Sequence, residues 1–431
     1  MERANPAASG LMAMKLIRTV VLTFVGFFLL ALLSLWVVNL IPDAPIKENL
    51  LASSTPEHYP KHPYLKSVKL DEWTECVLLS SGLQRNPGQG PVSAADAWRD
   101  AVVSPVLGNC ERLHSDESEY SYFRYWLGGQ VIARPILYFH SVQAIRLVVF
   151  CAFVLSALAF VLTLLKRNGV WIAVGTGMLI ATAPIYSQVF ILPHASAWII
   201  GFTAAAILVN SRAIGIERAV MVGLISGICL AFFDILNNPI VVPTALSLGY
   251  LLSCHAERKN PSVTNLLALN VVWFVGYAGF WSLKWALVMV QLGPDQVMEI
   301  VSGKVQERLG GETFGKDASL ARSLDRNFGL MEKTAIPFVL VSLVAVAAKL
   351  IGAVRGRPAV NSSDTASKIV LLTIITGLLP IIWIAALRNH SIIHFWFVGA
   401  VLTWSLISWY IALLILTDVA LRRFGVRKSD V

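Results

Sequence analysis

Long apolar runs separated by short polar segments make up most of the chain. A helix needs about 20 apolar residues to cross a hydrocarbon core about 30 Å thick, and ten windows approach or exceed that length. They lie near residues 20–41, 143–165, 170–186, 196–210, 219–236, 240–254, 264–283, 335–353, 369–387 and 397–417. Lipid offers the backbone no hydrogen-bond partners, and the short alternating strands of a β-barrel are absent from the pattern. Each window therefore predicts a helix.

The windows predict an all-α integral membrane protein with about ten transmembrane helices. No internal repeat and no low-complexity linker divides the chain, so residues 1–431 are expected to form a single transmembrane domain. Two long segments, residues 42–140 and 291–333, fall between windows and are expected to lie on the same side of the membrane. Several middle windows are short, which favours a vestibule open on that side.

Composition excludes an ordinary soluble protein, because 56% of the residues are hydrophobic and only 14% are charged. The net charge of +9 does not indicate nucleic-acid binding, because it is concentrated in the short segments on the side of the N-terminus. Those segments carry 17 Lys and Arg against 6 Asp and Glu, whereas the remainder carries 18 against 20. By the positive-inside rule, both termini are expected to be cytoplasmic and the two long loops extracytoplasmic. The first window lacks a cleavage site and predicts a retained anchor.

The two long loops have features of their own. Residues 121–140 mix aromatic residues, Gly and Arg, and predict a helix lying in the membrane interface. In the second loop Val297, Ile300, Val301 and Val305 recur at roughly helical spacing, which also favours a surface helix. Cys76 and Cys110 share the first loop, and an oxidising compartment would permit a disulfide between them.

Polar and ionisable residues gather at the predicted extracytoplasmic ends of the windows. The set comprises Asp71, Glu72, Arg124, Arg134, His194, Asp234, Asn237, Asn238, Lys284, Arg388, Asn389, His390 and His394. The opposite face has nothing comparable, so any chemistry is expected outside the cytoplasm. Each residue alone admits a simpler interpretation, but five separated segments that contribute to one face favour a common site.

The acidic members suggest proton transfer. Asp71 and Glu72 are adjacent, and neighbouring carboxylates can raise one another's pKa and so suit one of them to act as a general base; the alternative is a solvated acidic turn. Asp234 ends an apolar window, where an ionisable group is a functional candidate by default, or else caps or pairs with a neighbouring helix.

The basic members suggest anion binding. Lys284 is either a snorkelling anchor or a cation facing a cavity. Arg388, with His390 and His394, suits an anionic headgroup such as a phosphate, or is a set of interface residues. The two histidines, spaced i, i+4, admit a divalent metal ion, but no third ligand at useful spacing supports one and no cofactor is predicted. Arg124 and Arg134 admit the same two interpretations as Arg388, and His194 is either part of this site or a turn residue.

Four stretches carry a resemblance to known proteins: YFRYWLGGQVIARPILY, FFDILNNP, GYAGFWSLKW and NHSIIHFWF. Over most of its length the chain resembles a group of bacterial polytopic membrane proteins. Their layout is in turn similar to that of the GT-C glycosyltransferases, with interfacial helices and a carboxylate in the first loop and helices of uneven length around an outward cavity.

The resemblance implies an inverting glycosyltransferase of the bacterial inner membrane, acting on the extracytoplasmic side in cell-envelope polysaccharide assembly. Its partners would be a polyprenyl-phosphate sugar donor, a glycan or lipid acceptor and membrane lipids, without nucleic acid. Asp71 or Glu72 would deprotonate the acceptor, while the basic residues, His194, Asp234 and Asn238 would hold the donor. The alternatives are a flippase or transporter, or a polymerase, of lipid-linked glycans.

One departure from the GT-C pattern leaves two candidates for the base. The acidic residue of many GT-C enzymes follows the first span closely, whereas Asp71 comes roughly thirty residues after it. An amphipathic helix over residues 46–68 would return Asp71 to the membrane surface. Without that helix, Asp234 is the better candidate.

Overall fold

The computed structural model describes residues 6–54, 70–83, 92–106, 120–211, 214–309, 311–313, 316–354 and 363–423. In these residues helices dominate, and the only strands are two antiparallel pairs of two-residue strands. The first half contains α1 (Pro6–Asn39), α2 (Asp43–Ser53), α3 (Glu72–Leu79), α4 (Ala94–Val103), β1 (Pro105–Val106), β2 (Tyr120–Ser121), α5 (Gln130–Phe139), α6 (Val142–Asn168), α7 (Val170–Thr182), α8 (Leu192–Asn210) and α9 (Ile216–Phe233). The second half contains α10 (Val241–Ala256), α11 (Val263–Leu292), α12 (Pro294–Leu309), β3 (Glu312–Thr313), β4 (Lys316–Asp317), α13 (Leu320–Leu330), α14 (Glu332–Val354), α15 (Ser363–Thr376), α16 (Leu379–Ala386), α17 (Arg388–Ile393), α18 (Phe395–Val398) and α19 (Leu402–Arg423).

The architecture is that of an all-α, multi-pass membrane protein. Eight helical segments in the described part of the chain are long and apolar enough to cross a bilayer. They coincide with eight of the ten predicted windows. The other two windows correspond to α7 and α10, which have only 13 and 16 residues. The predicted number of ten spans is therefore not confirmed.

Glycines allow α9 and α11 to pack with their backbones in close contact. A Cβ atom on Gly227 would lie 2.2 Å from the Trp273 carbonyl oxygen, and one on Gly223 would lie 2.5 Å from that of Leu269. Gly276 faces α9 in the same way, 2.7 Å from the Leu224 carbonyl oxygen. Without a hydrophobic driving force between helices in lipid, such small-residue contacts supply the van der Waals packing. This contact brings the ends of α9 and α11 together.

The helices around α8 form the main aromatic core. Four aromatic side chains from α6, α8 and α19 contact one another with ring centroids 5.5 to 6.3 Å apart: Phe160, Trp198, Phe202 and Trp404. All four side chains are fully buried. Because aromatic rings bury large areas and pack at such separations, this core fixes the position of α8, whose first turn carries His194.

The first loop folds back onto the ends of the spanning helices. Arg134 on α5 is buried and donates to the carbonyl oxygens of Val38, Ser81 and Ile41 at 3.0 to 3.2 Å, and it forms an ion pair with Asp43. A second buried ion pair joins Arg146 on α6 to Glu75 on α3, with the Arg146 Nε and Glu75 Oε1 atoms 3.0 Å apart.

The disulfide and the amphipathic helix predicted for the first loop are only partly covered by the described residues. Cys76 is disulfide-bonded, whereas Cys110, its predicted partner, lies outside the described residues. Of the helix predicted over residues 46–68, α2 covers the part up to Ser53, and residues 55–69 lie outside the described residues.

The helix predicted over residues 121–140 begins only at Gln130. Leu127 adopts a left-handed backbone conformation with φ of 52°, which ends any helix that approaches it. Gly128 then donates its N–H to the Phe232 carbonyl oxygen at 2.8 Å, and a Cβ on Gly128 would lie 2.3 Å from the Phe232 ring. The segment is thus a close contact with the end of α9 rather than a continuous interfacial helix.

The second loop forms α12, as the apolar spacing predicted, but the helix packs on protein. Val297 and Val301 are buried against Val102, Phe123 and Val288. Val305, in contrast, is exposed. The apolar stripe therefore packs α12 against the first loop and the end of α11. This packing places the last turn of α12 on the same side of the bundle as the first loop.

We expect Gly227→Ala to destabilise the protein by about 1–3 kcal/mol, because the added methyl group would meet the Trp273 backbone and force α9 and α11 apart. Thermal unfolding of the full chain in detergent measures the effect. Gly177→Ala is the matched control, since its Cβ would lie an ordinary 3.6 Å from Val161. Equal melting temperatures for the two variants would contradict the close contact.

Candidate functional site

Several polar residues meet on one side of the bundle, which we call the loop face. It is the side on which α2 to α5, α12, α13, α17, α18 and the 234–240 turn lie. Six side chains there, which we call the histidine–carboxylate cluster, are linked by hydrogen bonds, ring contacts or charge interactions: Asp71, His194, Asp234, Arg308, His390 and His394. Five of the six were predicted from the sequence, and the structure brings these five together.

Asp71 and His194 form the centre of the cluster. Asp71 is the N-cap of α3, and its Oδ1 accepts the Thr74 N–H at 3.1 Å while its Oδ2 accepts the Thr74 hydroxyl at 2.8 Å. The same Oδ2 lies 3.1 Å from His194 Nε2. The His194 side chain is completely inaccessible to solvent and that of Asp71 is 9% exposed. The pair joins the first loop to the first turn of α8.

Asp71 remains ionised in this setting. Burial raises the pKa of its carboxyl group, but the hydrogen bond and charge of His194, with the two hydrogen bonds from Thr74, outweigh burial and lower the pKa below its ordinary value. A carboxylate accepts hydrogen bonds and donates none, so His194 Nε2 is the donor. In a neutral imidazole this leaves Nδ1 without a proton.

One phenyl ring organises the three histidines. The Phe397 centroid lies 4.5 Å from that of His194, 5.0 Å from that of His394 and 6.0 Å from that of His390. The Phe397 carbonyl oxygen in turn accepts from Gln188 Nε2 at 3.1 Å. It also accepts from the Asn238 amide at 3.2 Å in the amide orientation that satisfies the hydrogen bonds. These bonds hold α18, the turn before α8 and the 234–240 turn in a fixed arrangement.

Arg308, at the end of α12, reaches the cluster from the second loop. Its Nη1 donates to His390 Nδ1 at 2.8 Å and its Nη2 donates to the Tyr125 hydroxyl at 2.9 Å. A guanidinium has no acceptor atom, so His390 Nδ1 is unprotonated. The half-buried arginine therefore connects the first loop, the second loop and α17.

His390 and His394 are neutral near physiological pH. Burial lowers the pKa of His390 well below its ordinary value, and the positive charge of Arg308 lowers it further. Burial likewise lowers the pKa of His394 to about 4, although Asp71 opposes this shift. The cluster thus combines a carboxylate and a guanidinium with two imidazoles, those of His390 and His394, that contribute no charge.

Asp234 folds its carboxylate back on the turn that follows it. Its Oδ2 accepts the Leu236 N–H at 2.7 Å and its Oδ1 accepts the Asn237 N–H at 3.2 Å, a pattern typical of Asx turns. Leu236 adopts a left-handed conformation with φ of 66°, a strained state for a leucine. Burial raises the pKa of Asp234 to about 7, against the opposing effect of the backbone hydrogen bonds and Arg308.

Four buried side-chain atoms of the cluster and the 234–240 turn have no hydrogen-bond partner among the described residues: His194 Nδ1, His390 Nε2, His394 Nδ1 and Asn237 Nδ2. Buried polar atoms in folded proteins nearly always have a partner. Because these four lie beside a carboxylate and an arginine, they provide both acceptor and donor positions for a polar ligand.

An aromatic row on α11 borders the cluster. Tyr277, Trp281 and Trp285 follow one another at i, i+4 spacing with ring centroids 5.1 and 5.9 Å apart. The Tyr277 hydroxyl lies 3.5 Å from Asp234 Oδ2, and the Trp281 centroid lies 5.4 Å from that of Tyr125. The row therefore leads from the spanning part of α11 to the cluster.

Two predicted donor-binding residues have other contacts. The guanidinium of Arg134 is occupied by three backbone carbonyls and Asp43. Lys284 is fully buried; its Nζ donates to the Ala101 carbonyl at 2.7 Å and contacts Ser104 Oγ at 3.2 Å, below the Trp126 ring. Both cations join the first loop to spanning helices instead of facing the cluster, and we leave them out of the site.

The remaining predicted residues lie at the edge of the cluster. Arg124 is half-buried and stacks on Tyr122 and Tyr125, with its Cζ 4.5 and 5.8 Å from the ring centroids. Arg388 is exposed at the start of α17, and Glu72 is half-buried in the first turn of α3.

Comparison with known proteins adds no assignment, because no family model, curated protein or solved structure matches the chain. Within the described part of the chain, no group of three or more His, Cys, Asp or Glu side chains is arranged to hold a metal ion.

Sequence reasoning missed Arg308, Tyr125 and Phe397. Arg308 ends an amphipathic helix in the second loop, a signal present in the sequence that nothing connected to the histidines. Tyr125 lies in the segment predicted to be an interfacial helix, and Phe397 begins the last predicted transmembrane window. Their contacts depend on how the loops fold over the helix ends, which the hydrophobic pattern does not specify.

The raised pKa of Asp234 predicts a pH dependence of stability. Between its ordinary value of 3.8 and about 7, the folded protein binds the Asp234 proton more tightly than the unfolded chain. This contribution is fully present below 3.8 and is lost as pH rises through about 7. We expect Asp234→Asn to remove this pH-dependent component from thermal unfolding in detergent, whereas the exposed Asp325→Asn keeps it. An unchanged pH profile in Asp234→Asn would contradict the assignment.

Proposed function

We propose that the protein is a membrane glycosyltransferase that moves a sugar from a polyprenyl-phosphate donor to a hydroxyl of a cell-envelope glycan or lipid. The observation that carries the proposal is the histidine–carboxylate cluster, in which a buried Asp–His pair and an arginine lie beside buried atoms with unused hydrogen-bonding capacity. Sugar transfer from a lipid phosphate needs both a proton acceptor and a cation near the leaving group.

Two arginines on either side of Tyr125 supply the cationic half. Arg308 donates to the Tyr125 hydroxyl, and Arg124 stacks on the Tyr125 ring. Guanidinium groups match the oxygen geometry of a phosphate and keep their charge at any physiological pH. In this proposal they bind the donor phosphate and stabilise the negative charge that develops as it leaves. His390, His394 and the exposed Arg388 border the same position.

The Asp71–His194 pair supplies the proton-accepting half. The pair is buried, and its His194 ring contacts the same Phe397 ring as His394 does. The lowered pKa of Asp71 keeps its carboxylate ionised. Asp234, Asn237 and Asn238 line the neighbouring turn, where the unpaired Asn237 amide suits a sugar hydroxyl. Both alternatives for the acidic residue, Asp71 and Asp234, thus belong to one site, with Asp71 at its centre.

The orientation follows from the charge distribution of the sequence. By the positive-inside rule the basic segments of the sequence face the cytoplasm, so we place both termini in the bacterial cytoplasm and the site on the extracytoplasmic side of the inner membrane. The aromatic row on α11 suits the polyprenyl chain of the donor. A flippase or transporter would instead carry an intact lipid-linked sugar between leaflets, which provides a way to tell the two functions apart.

The test uses the full chain reconstituted in vesicles with radiolabelled polyprenyl-phosphate sugars. We expect wild-type protein to move the label from the lipid to a water-soluble or lipid acceptor, and Asp71→Asn to lower the rate by about 10²–10⁴-fold because the proton acceptor is impaired. Label that crosses the bilayer while still lipid-linked would contradict transfer and favour a transporter.

Arg308→Gln tests the cationic half. Removing the charge should weaken binding of radiolabelled polyprenyl phosphate at least tenfold, because a charge-assisted contact to phosphate is lost. Lys304→Gln, one turn earlier on α12, is the matched control; the Lys304 side chain is 44% exposed and pairs only with Glu307 among the contacts seen in the described residues. Equal binding by the two variants would remove Arg308 from the donor site.

A further inference from the structure

The Asp71–His194 pair contains two groups that can take a proton, and their environments differ. Asp71 Oδ1 is used by the Thr74 N–H, and Oδ2 is shared by the Thr74 hydroxyl and His194 Nε2. All of these contacts are 2.8 to 3.1 Å long, and the carboxylate also caps α3. The carboxylate of Asp71 is thus held in place by the protein on both oxygens.

His194 has the opposite arrangement. Nε2 is bound to Asp71, whereas Nδ1 is buried and has no hydrogen-bond partner among the described residues. In the neutral tautomer that carries its proton on Nε2, Nδ1 has a free lone pair. A buried lone pair without a donor is unfavourable unless a ligand supplies one. A hydroxyl group of a ligand is one donor that fits this lone pair.

We propose that His194 Nδ1 is the atom that accepts the proton of the acceptor hydroxyl, and that Asp71 is a positioning residue that fixes the His194 tautomer. The proposal rests on the proposed function and changes the role that the sequence resemblance gives to Asp71. A carboxylate that orients an imidazole and stabilises the imidazolium is a familiar arrangement in acyl-transfer enzymes. Here the ring is reversed, with Nε2 toward the carboxylate.

The step balances in atoms and charge. The hydroxyl O–H bond breaks and its proton forms a bond to His194 Nδ1, while the oxygen forms a bond to the anomeric carbon. The bond from that carbon to the donor phosphate oxygen breaks, and its electron pair leaves with the phosphate. Asp71 stays ionised and offsets the charge of the imidazolium. Asp234, Arg308, His390 and His394, the other titratable or charged groups of the cluster, transfer no proton in this step.

Two variants separate the roles of the pair. His194→Gln keeps an N–H donor for Asp71 but has no basic nitrogen. If Nδ1 takes the proton, we expect His194→Gln to lose about 10²–10⁴-fold in the maximal transfer rate, as much as Asp71→Asn, with the donor KM within a few-fold of wild type. If Asp71 is itself the base, His194→Gln retains most of the rate, and that result would overturn the proposal. His140→Gln, an exposed histidine on the same face, is the control.

A readout without turnover tests the tautomer. In ¹⁵N-histidine-labelled full chain in detergent, we expect the signals that His194→Gln removes to show a protonated Nε2 and an unprotonated Nδ1 at neutral pH. In Asp71→Asn the amide can donate to Nε2, so the proton should move to Nδ1. A protonated Nδ1 in the wild type would overturn the proposal.

The two experiments also separate this inference from the proposed function. Wild-type protein without any transfer, but with the expected tautomer, would contradict glycosyl transfer and leave Nδ1 as a hydroxyl-binding atom. Active wild type together with an active His194→Gln variant would contradict only the assignment to Nδ1.

Discussion

The hydrogen bond between Asp71 and His194 joins two parts of the molecule whose positions are set by different kinds of interaction. His194 belongs to a spanning helix whose position is set by apolar and aromatic packing. Asp71 belongs to an extramembrane loop whose position is set by caps and ion pairs. The bond exists only if both parts are correctly placed. Every other member of the histidine–carboxylate cluster is arranged around this junction.

The buried and half-buried basic residues fall into two groups. Some hold parts of the fold together, and others keep side-chain contacts that a ligand can replace. Arg134 and Lys284 have their N–H groups directed at backbone carbonyls, which anchors the first loop to α1 and α11. Removing them would leave carbonyl oxygens buried without donors. Arg308 instead binds side chains, one of them a neutral histidine, and keeps part of its surface in solvent. Contacts to a ligand can therefore replace these contacts of Arg308 with little effect on the stability of the fold.

Much of the helical architecture could be predicted from the sequence, because apolar length alone determines which segments can span a bilayer. The convergence of Asp71, His194, Asp234, His390 and His394 could also be expected, because helices that alternate direction bring every second connection to the same face. The roles of individual cations could not be predicted. Lys284 and Arg308 look alike as positive charges near apolar segments, and only the packing of the first loop shows that one of them is already paired.

Local backbone conformation was the second feature that could not be predicted from the sequence. The aromatic stretch before Gln130 reads as helical, but Leu127 and Leu236 adopt left-handed conformations that no residue preference at those positions indicates. These two strained residues flank the contact between the first loop and the end of α9, where the Asp234 turn is formed. Such conformations persist only when surrounding contacts hold them, so they follow from the tertiary structure rather than from the local sequence.

The charge states in the cluster explain why its positive charge resides on arginine. Burial keeps His390 and His394 neutral, so neither ring attracts an approaching anion by its charge. A guanidinium keeps its charge whether or not a ligand is present. Because Arg308 ends a loop helix instead of a spanning helix, it remains partly hydrated and avoids most of the desolvation cost of a buried charge. In the proposed function, the histidines provide hydrogen-bonding atoms next to the donor phosphate and sugar without adding charges that would also have to be desolvated.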